Sequence, residues 1–509
     1  MRRQLSRAGI PPEHLAALSH EFRTPLSGVL GMARLLQGTR LTAEQRDYVS
    51  ALVESGEHLL GLVNDVLDYA KLGAGRVELH RSPLQVEDVL RSVCELLSPR
   101  AQEKGIEIGW AADSGLAPVL ADEGKLKQIL LNLAGNAVKF TADGGVLLLA
   151  EAAGKNALRF TVSDTGPGVP KALRAGIFEA FAQAEPAPQA RAEGAGLGLA
   201  IASRLAEAMG GHVGVGGDVG AGADFWFEAP FLAAGAAQRR RPLRGRTVAI
   251  VSPSAIVREA AARQVEASGG RAVRAAGVDE ALAQTAAKDV ILIDHALAKP
   301  RRKLVAPQGR AAVILVKPGE RAKLAAYRKA GFVGYLIKPL RRASLTARVL
   351  AAEGAAGAAP PVEDERIDRR ETAAAPAGLR VLLAEDNPIN ALLARTLLTR
   401  EGCAVDHVAD GEGALEALAT AGYDLVLMDV RMPVIGGMAA SRAARQRGVT
   451  TPIVALTANA FEDDRRACLA AGMDDFLVKP LAPAALKAAL ARWTGPGWTR
   501  DGARARLAR

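Results

Sequence analysis

Apolar residues recur at spacings of three, four and seven along two early stretches of the chain. Leu15, Leu18, Phe22, Val29 and Leu36 form one stripe, and Val49, Leu52, Leu59, Val63, Val66 and Ala70 form a second. That period predicts two amphipathic helices. The joint "QGTRLTAEQ" separates them with Gly38, and Thr42 followed by Gln45 reads as a capping box. A hairpin of two helices buries too little alone, so pairing into a dimeric four-helix bundle is expected. From about Arg76 to Leu232 the pattern becomes mixed. "VLLLAEAAG" and "ALRFTVSDTGPGVP" read as strands, "GLGLAIASRLAEAMGGHVGV" as a helix then a strand, and "GADFWFEAPF" as a last strand. Two βα-alternating segments follow. Each opens on an apolar strand, "RTVAIVSPS" or "LRVLLAEDNPIN". Each has a strand ending in aspartate, "DVILIDHAL" or "DLVLMDVRMP", and a late Lys-Pro pair, "GYLIKPL" or "DFLVKPL". This is the signature of a duplicated parallel α/β domain.

The pattern divides the chain into segments 1–76, 77–234, a linker at 235–244, 245–352, a linker at 353–378, 379–494 and a basic tail at 495–509. The second linker is rich in Ala, Pro, Gly and charge, the composition of a disordered segment. A length of 509 residues suits several domains, and 49% hydrophobic with 24% charged residues suits a globular protein. Cys94, Cys403 and Cys468 are scattered, which argues against a disulfide framework or a zinc site. No apolar run reaches the roughly 18 residues of a membrane span. The basic N-terminus lacks the apolar core of a secretory signal, so a cytoplasmic location is expected. The net charge of +10 changes the picture in one place. Residues 245–352 hold 20 Lys+Arg against 7 Asp+Glu, a balance of +13, which leaves about −3 for the rest. An acidic partner surface and a simple solubility bias both account for it.

Candidate chemistry begins at "ALSHEFRTPLSGVLG". At 100° per residue His20 falls opposite the apolar stripe, so its ring faces solvent. A neutral imidazole there is an available nucleophile. Glu21 beside it can orient a ring proton, and Pro25 reads as a kink one turn on, at a local cost of about 3 kcal/mol. "LKQILLNLAGNAVKFT" sets Asn132, Asn136 and Lys139 on or near one helix face. That face is either merely polar or a site for Mg²⁺ and phosphate. "DTGPGV" (Asp164, Gly166, Gly168) and "GAGLGLA" (Gly194, Gly196, Gly198) are glycine-rich loops able to approach phosphates, although neither matches a Walker or dinucleotide fingerprint.

Taken in order, the HExxT stretch, the N-x-x-x-N-A-x-K-F-T helix, the D-x-G-x-G loop, "IFEAFAQ" and the G-x-G-x-G loop resemble the sensor histidine kinase family over about residues 10–232. The resemblance implies that His20 accepts the γ-phosphoryl group of ATP, that Glu21 assists as acid or base, and that Thr24 positions water for the reverse, phosphatase reaction. It implies Mg²⁺ on Asn136, phosphates on Asn132 and Lys139, and the adenine amino group on Asp164. Gly166 and Gly168 belong to that nucleotide loop. Phe178 and Phe181 would pack near a mobile lid carried by Gly194, Gly196 and Gly198. It implies an antiparallel sheet covered by helices. Glu193 departs from the family, which often has glycine there.

Residues 379–494 resemble a response-regulator receiver. That resemblance implies Mg²⁺ on Glu385, Asp386 and Asp429, an aspartyl phosphate on Asp429, phosphoryl contacts from Thr457 and Lys479, and a cis bond before Pro480. Gly436 stands where the family usually has aspartate. In residues 245–352, Ser252 and Pro253 align with Glu385 and Asp386, and Lys317 with Thr457, while Asp294 and Lys338 remain. One carboxylate is too few for the usual metal site, so this copy is expected to be receiver-like and unphosphorylated, with Lys317 pairing with Asp294.

The expected architecture is multidomain: an α-helical hairpin dimerisation domain, an α+β ATP-binding sandwich of the histidine kinase type, and two α/β flavodoxin-like receiver domains. The expected function is that of a hybrid histidine kinase in a phosphorelay, passing phosphate from ATP to His20 and then to Asp429, with ATP and Mg²⁺ as cofactors. A homodimer, a separate histidine phosphotransfer protein or response regulator, and an upstream sensor are the expected partners. The alternatives are a phosphorelay scaffold that transfers poorly and a nucleic-acid-binding regulator. Nothing resembles a helix-turn-helix, and the 29 residues after Pro480 are too few for a DNA-binding domain, so DNA binding is not expected.

Overall fold

The computed structural model describes residues 25–26, 28–73, 79–154, 156–182, 196–237, 240–298, 304–354, 378–457, 462–479, 481 and 483–494. The chain divides into two compact units, residues 68–362 and residues 1–67 with 363–509.

The first unit contains a small sheet of β1 (Ser82–Leu84), β3 (Val119–Ala121) and β8 (Leu232–Ala233). Its larger sheet runs β2-β4-β5-β7-β6, from β2 (Glu107–Ala112), β4 (Gly145–Ala152), β5 (Ala157–Asp164), β6 (His212–Gly216) and β7 (Asp224–Pro230). The expectation of an antiparallel sheet needs one correction. The edge pair β2 and β4 is parallel, while β4, β5, β7 and β6 pair antiparallel. The helix Glu123–Phe140 lies between β2 and β4 in the chain, and a helical crossover brings the next strand back in the same direction. One face of this sheet is covered by helices Val86–Glu103, Glu123–Phe140 and Gly198–Ala208, with Leu126, Leu133, Leu148, Phe160 and Phe227 in the core.

The other face of β4 is also buried. Leu147 and Leu149 pack with Ala111 against Ile256 and Ala260 of the helix Ala255–Ala267. A half-exposed strand alternates polar and apolar residues, and "VLLLA" does not, because it is covered twice. That helix belongs to a parallel sheet of order β10-β9-β11-β12-β13. Its strands are β9 (Thr247–Val251), β10 (Arg271–Ala275), β11 (Val290–Asp294), β12 (Ala312–Val316) and β13 (Gly334–Ile337).

In the second unit a helix over 28–37 is followed by the helix Ala43–Gly73, whose residues up to Leu67 belong to this unit. The capping box is formed: the Gln45 N–H donates to Thr42 Oγ1 at 3.2 Å and the Thr42 N–H to Gln45 Oε1 at 3.0 Å. Leu30, Ala33 and Val49 are buried, whereas Val29, Leu36, Leu52, Leu59 and Val66 are exposed. Within one chain, most of the described part of the apolar stripe therefore stands uncovered. Leu15, Leu18 and Phe22 lie outside the described residues. The parallel sheet of this unit runs β15-β14-β16-β17-β18, from β14 (Arg380–Ala384), β15 (Ala404–Val408), β16 (Leu425–Asp429), β17 (Ile453–Thr457) and β18 (Asp475–Val478). Its helix Pro388–Arg400 meets the helix over 28–37. A Cβ on Gly31 would lie 3.0 Å from Leu393 Cδ2, and one on Gly28 would lie 3.4 Å from Ile389 Cδ1. Glycine lets the two backbones approach there.

Candidate functional site

The nucleotide candidates sit around the helix Glu123–Phe140 and the start of the helix Gly198–Ala208. Asp122 caps the former by accepting from the Lys125 N–H at 3.0 Å, and Lys104 Nζ caps its far end by donating to the Val138 and Lys139 carbonyls. The helix buries Leu126, Ile129, Leu130 and Leu133, which turns Asn132, Asn136 and Lys139 to its other side. Asn132 Nδ2 is buried and finds no hydrogen-bond partner among the described residues. Asn132 Oδ1 lies 3.6 Å from where a Cβ on Gly198 would stand. Gly198 opens its helix, and Leu197 before it offers no side-chain cap. A lone buried amide beside an uncapped helix N-terminus is a group of donors awaiting an anion.

The D-x-G-x-G loop is held by its own aspartate. Asp164 Oδ1 accepts from the N–H groups of Gly166 (2.8 Å) and Ala223 (3.2 Å). Burial pushes its carboxyl above the usual range, against the pull of those two donors. Gly168 has φ +74°, and a Cβ there would meet the Asp218 carbonyl at 2.7 Å. Phe178 packs on the core and meets Phe225 edge-on. Phe181 is exposed and holds φ +62°, strained for a residue with a side chain, while its N–H donates to the Gly196 carbonyl. His20, Glu21, Thr24, Glu193 and Gly194 lie outside the described residues.

The receiver candidates converge at the C-terminal ends of parallel strands. Ligand oxygens of Glu385, Asp386 and Asp429 lie within 4.8 Å of one another. Lys479 Nζ is 2.5 Å from Glu385 Oε2 and 2.6 Å from Asp429 Oδ2. Burial pushes the Glu385 carboxyl up, with Lys479 pulling it down and Asp429 adding to the rise. Thr457 ends β17, and Gly436 caps the helix Gly437–Gln446. Three carboxylates against one ammonium leave surplus negative charge, and such an oxygen set suits a hard divalent cation. Asn390, not singled out in the sequence, donates to Glu385 Oε1 at 2.9 Å. Pro480 lies outside the described residues, and the corresponding bond Lys338–Pro339 is cis.

Strand register aligns the two parallel sheets without ambiguity. Asp294 pairs with Leu315 as Asp429 pairs with Leu456, so Val316, not Lys317, stands at the position of Thr457. Lys317, expected at that position, lies one residue further on, just past the strand. Ser252 and Pro253 do follow Val251 as Glu385 and Asp386 follow Ala384, and Lys338 matches Lys479. The expected Lys317–Asp294 pair is replaced. Lys338 Nζ is 3.1 Å from both Asp294 oxygens, and Lys317 Nζ is 3.6 Å from Glu107 Oε1. Lys317 starts beyond the last paired residue of its strand, so it reaches outward to the neighbouring β2.

Three family models match in order. Residues 13–75 match the His Kinase A (phospho-acceptor) domain, 121–233 the histidine kinase-, DNA gyrase B- and HSP90-like ATPase, and 381–491 the response regulator receiver domain. The crystal structure of full-length ShkA in complex with AMPPNP is 61% identical, with a TM-score of 0.65, over 95% of this chain and 100% of that one. The chain belongs to the hybrid sensor histidine kinases. The sensor histidine kinase GacS of Pseudomonas protegens is 34% identical over 96% of this hybrid kinase and 56% of its own length. The signal transduction histidine-protein kinase BarA of Escherichia coli (strain K12) is 30% identical over 97% of this chain and 55% of its own length. The chain thus spans about half the length of the curated relatives it matches. No helix among the described residues is long and apolar enough to cross a membrane.

Proposed function

We propose that this hybrid kinase transfers the γ-phosphoryl group of ATP to His20 and then to Asp429. The carrying observation is the cluster of Glu385, Asp386, Asp429 and Lys479. In this reading Asp164 bonds the adenine amino group, Asn136 holds Mg²⁺, and Asn132 and Lys139 meet the phosphates. The unsatisfied Asn132 amide beside the Gly198 helix start supports it. Glu21 assists at His20, and Thr24 positions water in the reverse reaction. In the second step an Asp429 oxygen attacks phosphorus, the bond to the imidazole nitrogen breaks, and His20 is left neutral. Mg²⁺ held by Glu385, Asp386 and Asp429 supplies charge neutralisation between carboxylate and phosphoryl group. Lys479 and Thr457 contact the transferred oxygens. The exposed stripe of Val29, Leu36, Leu52, Leu59 and Val66 is the surface on which a second copy completes a four-helix bundle. A separate histidine phosphotransfer protein or response regulator takes the phosphate onward.

We read residues 245–352 as a receiver-like domain that is not phosphorylated, because Ser252 and Pro253 stand at the acid positions. Incubation with γ-labelled ATP tests the scheme. His20→Gln removes all label, Asp429→Ala leaves label on His20 alone, and Asn136→Ala loses label while the chain stays folded. Label persisting in His20→Gln, or full activity in Asn136→Ala, overturns the corresponding assignment.

A further inference from the structure

The receiver-like domain keeps an aspartate and a lysine that the proposed function does not use. Both are buried: Asp294 is fully enclosed and Lys338 is 5% exposed. Asp294 Oδ2 accepts from Ser252 Oγ at 2.7 Å, Oδ1 accepts from the Ala296 N–H at 3.1 Å, and His295 Nδ1 lies 3.1 Å from Oδ1. Lys338 Nζ lies 3.1 Å from both oxygens as well, so the carboxylate is met by four groups of its own domain. Lys338 also donates to Glu107 Oε1 at 2.8 Å. Glu107 begins β2, the edge strand of the ATP-binding sheet.

Around this contact the fit continues. Gln264 is buried and donates from Nε2 to the Trp110 carbonyl of β2 at 2.8 Å and to the Leu340 carbonyl at 3.1 Å. Ile256 and Ala260 cover Leu147 and Leu149. At the rim Arg263 pairs with Glu151, Arg341 with Glu95 and Arg342 with Glu87. These rim pairs are about one-third exposed and contribute little each, whereas the Lys338–Glu107 pair is shielded from water. The surplus of +13 on residues 245–352 meets acids of its own chain.

We propose that the cleft at the ends of β9, β11 and β13 is a carboxylate-binding socket whose occupant is Glu107, so that residues 245–352 form a docking module for the edge of the ATP-binding sheet. Asp294 is a positioning residue: it holds the Lys338 ammonium where Glu107 meets it. This rests on reading the domain as unphosphorylated, and the test separates the two.

The full chain carrying Leu147→Cys provides the probe, since Leu147 is covered by the docked helix and Cys94, Cys403 and Cys468 are buried. Maleimide labelling of that thiol is expected to be slow. Glu107→Arg, which sets a third cation against Lys338 and Lys317, is expected to speed it by about tenfold or more. Glu107→Gln keeps the shape and is expected to speed it by about threefold. If Glu107→Arg unfolds the chain, shown by simultaneous labelling of Cys94, the Glu107→Gln arm decides. Labelling unchanged by a folded Glu107 variant overturns the socket. In a separate arm, the full chain with Asp429→Ala receives acetyl phosphate and Mg²⁺. Hydroxylamine-sensitive phosphate on Asp294 overturns the unphosphorylated reading, and its absence supports it.

Discussion

At the end of β16, Asp429 accepts from the Arg431 N–H and pairs with Lys479, and two further carboxylates stand beside it. At the same register in β11, Asp294 is met by Ser252, His295, Ala296 and Lys338. The strand orders are the same, so topology does not separate the two sites. Charge does. The C-terminal site sets three carboxylates against one ammonium. The other sets Asp294 and Glu107 against Lys338 and Lys317. The first arrangement carries surplus negative charge that suits a divalent cation, and the second is already neutral. Replacing two acids by Ser252 and Pro253 removes the demand for metal, and the retained lysine is then free to bind a carboxylate from another domain.

The largest expected effect breaks this comparison if it fails. Asp429→Asn abolishes receiver phosphorylation, a loss of at least roughly 10³-fold because the nucleophile is gone. Asp294→Asn leaves phosphate on Asp429. Phosphopeptide mapping after incubation with ATP checks both, and loss of Asp429 phosphate in Asp294→Asn would show that the two sites act in sequence.

A smaller effect sharpens the difference at β12 and β17. Thr457→Val gives the C-terminal site the residue found at Val316. It is expected to slow phosphoryl transfer by roughly 10- to 100-fold through loss of one positioned donor. The reciprocal Val316→Thr creates no acceptor. It buries a hydroxyl at a fully enclosed position, at a cost of about 1–3 kcal/mol read by denaturant titration.

How much of this was legible in the sequence depends on whether the signal was local. The capping box at Thr42 and Gln45, the strand ends at Asp294 and Asp429, and the acid pair at Glu385 and Asp386 were all readable, because each is set by neighbours in the chain. The Thr457 equivalence was not. "AVILVKPGE" and "PIVALTANA" can be aligned one residue apart with similar apolar content, and only pairing to the neighbouring strand fixes the register. Glu107 was missed for a related reason: its partner lies 231 residues away. A signal did exist. The unbroken apolar run of β4 marks a sheet covered on both faces, which implies a second layer over the ATP-binding sheet. The parallel β2–β4 pair was hidden because strand direction depends on the crossover helix rather than on strand composition.

The smallest expected effect concerns Ser252. Its hydroxyl donates to a buried carboxylate, and a hydrogen bond to a charged group contributes about 1.5–3 kcal/mol. Ser252→Ala is therefore expected to lower stability by about 2 kcal/mol at neutral pH. Its pH dependence identifies the cause. Burial alone would push the Asp294 carboxyl up, but His295, Lys338, Ser252 and the Ala296 N–H together hold it well below the usual carboxylate range. A carboxyl depressed in the folded state contributes stability that is present above its unfolded value and is lost as pH falls below that value. Removing Ser252 lifts the folded value, so the acid-sensitive window narrows from its low-pH side. The deficit of Ser252→Ala relative to wild type should accordingly shrink as Asp294 becomes protonated in both chains. Thermal melts of the two proteins from neutral pH into acid measure that convergence. A deficit that stays constant down to a pH at which Asp294 of the folded variant is protonated would mean that Ser252 acts by packing alone.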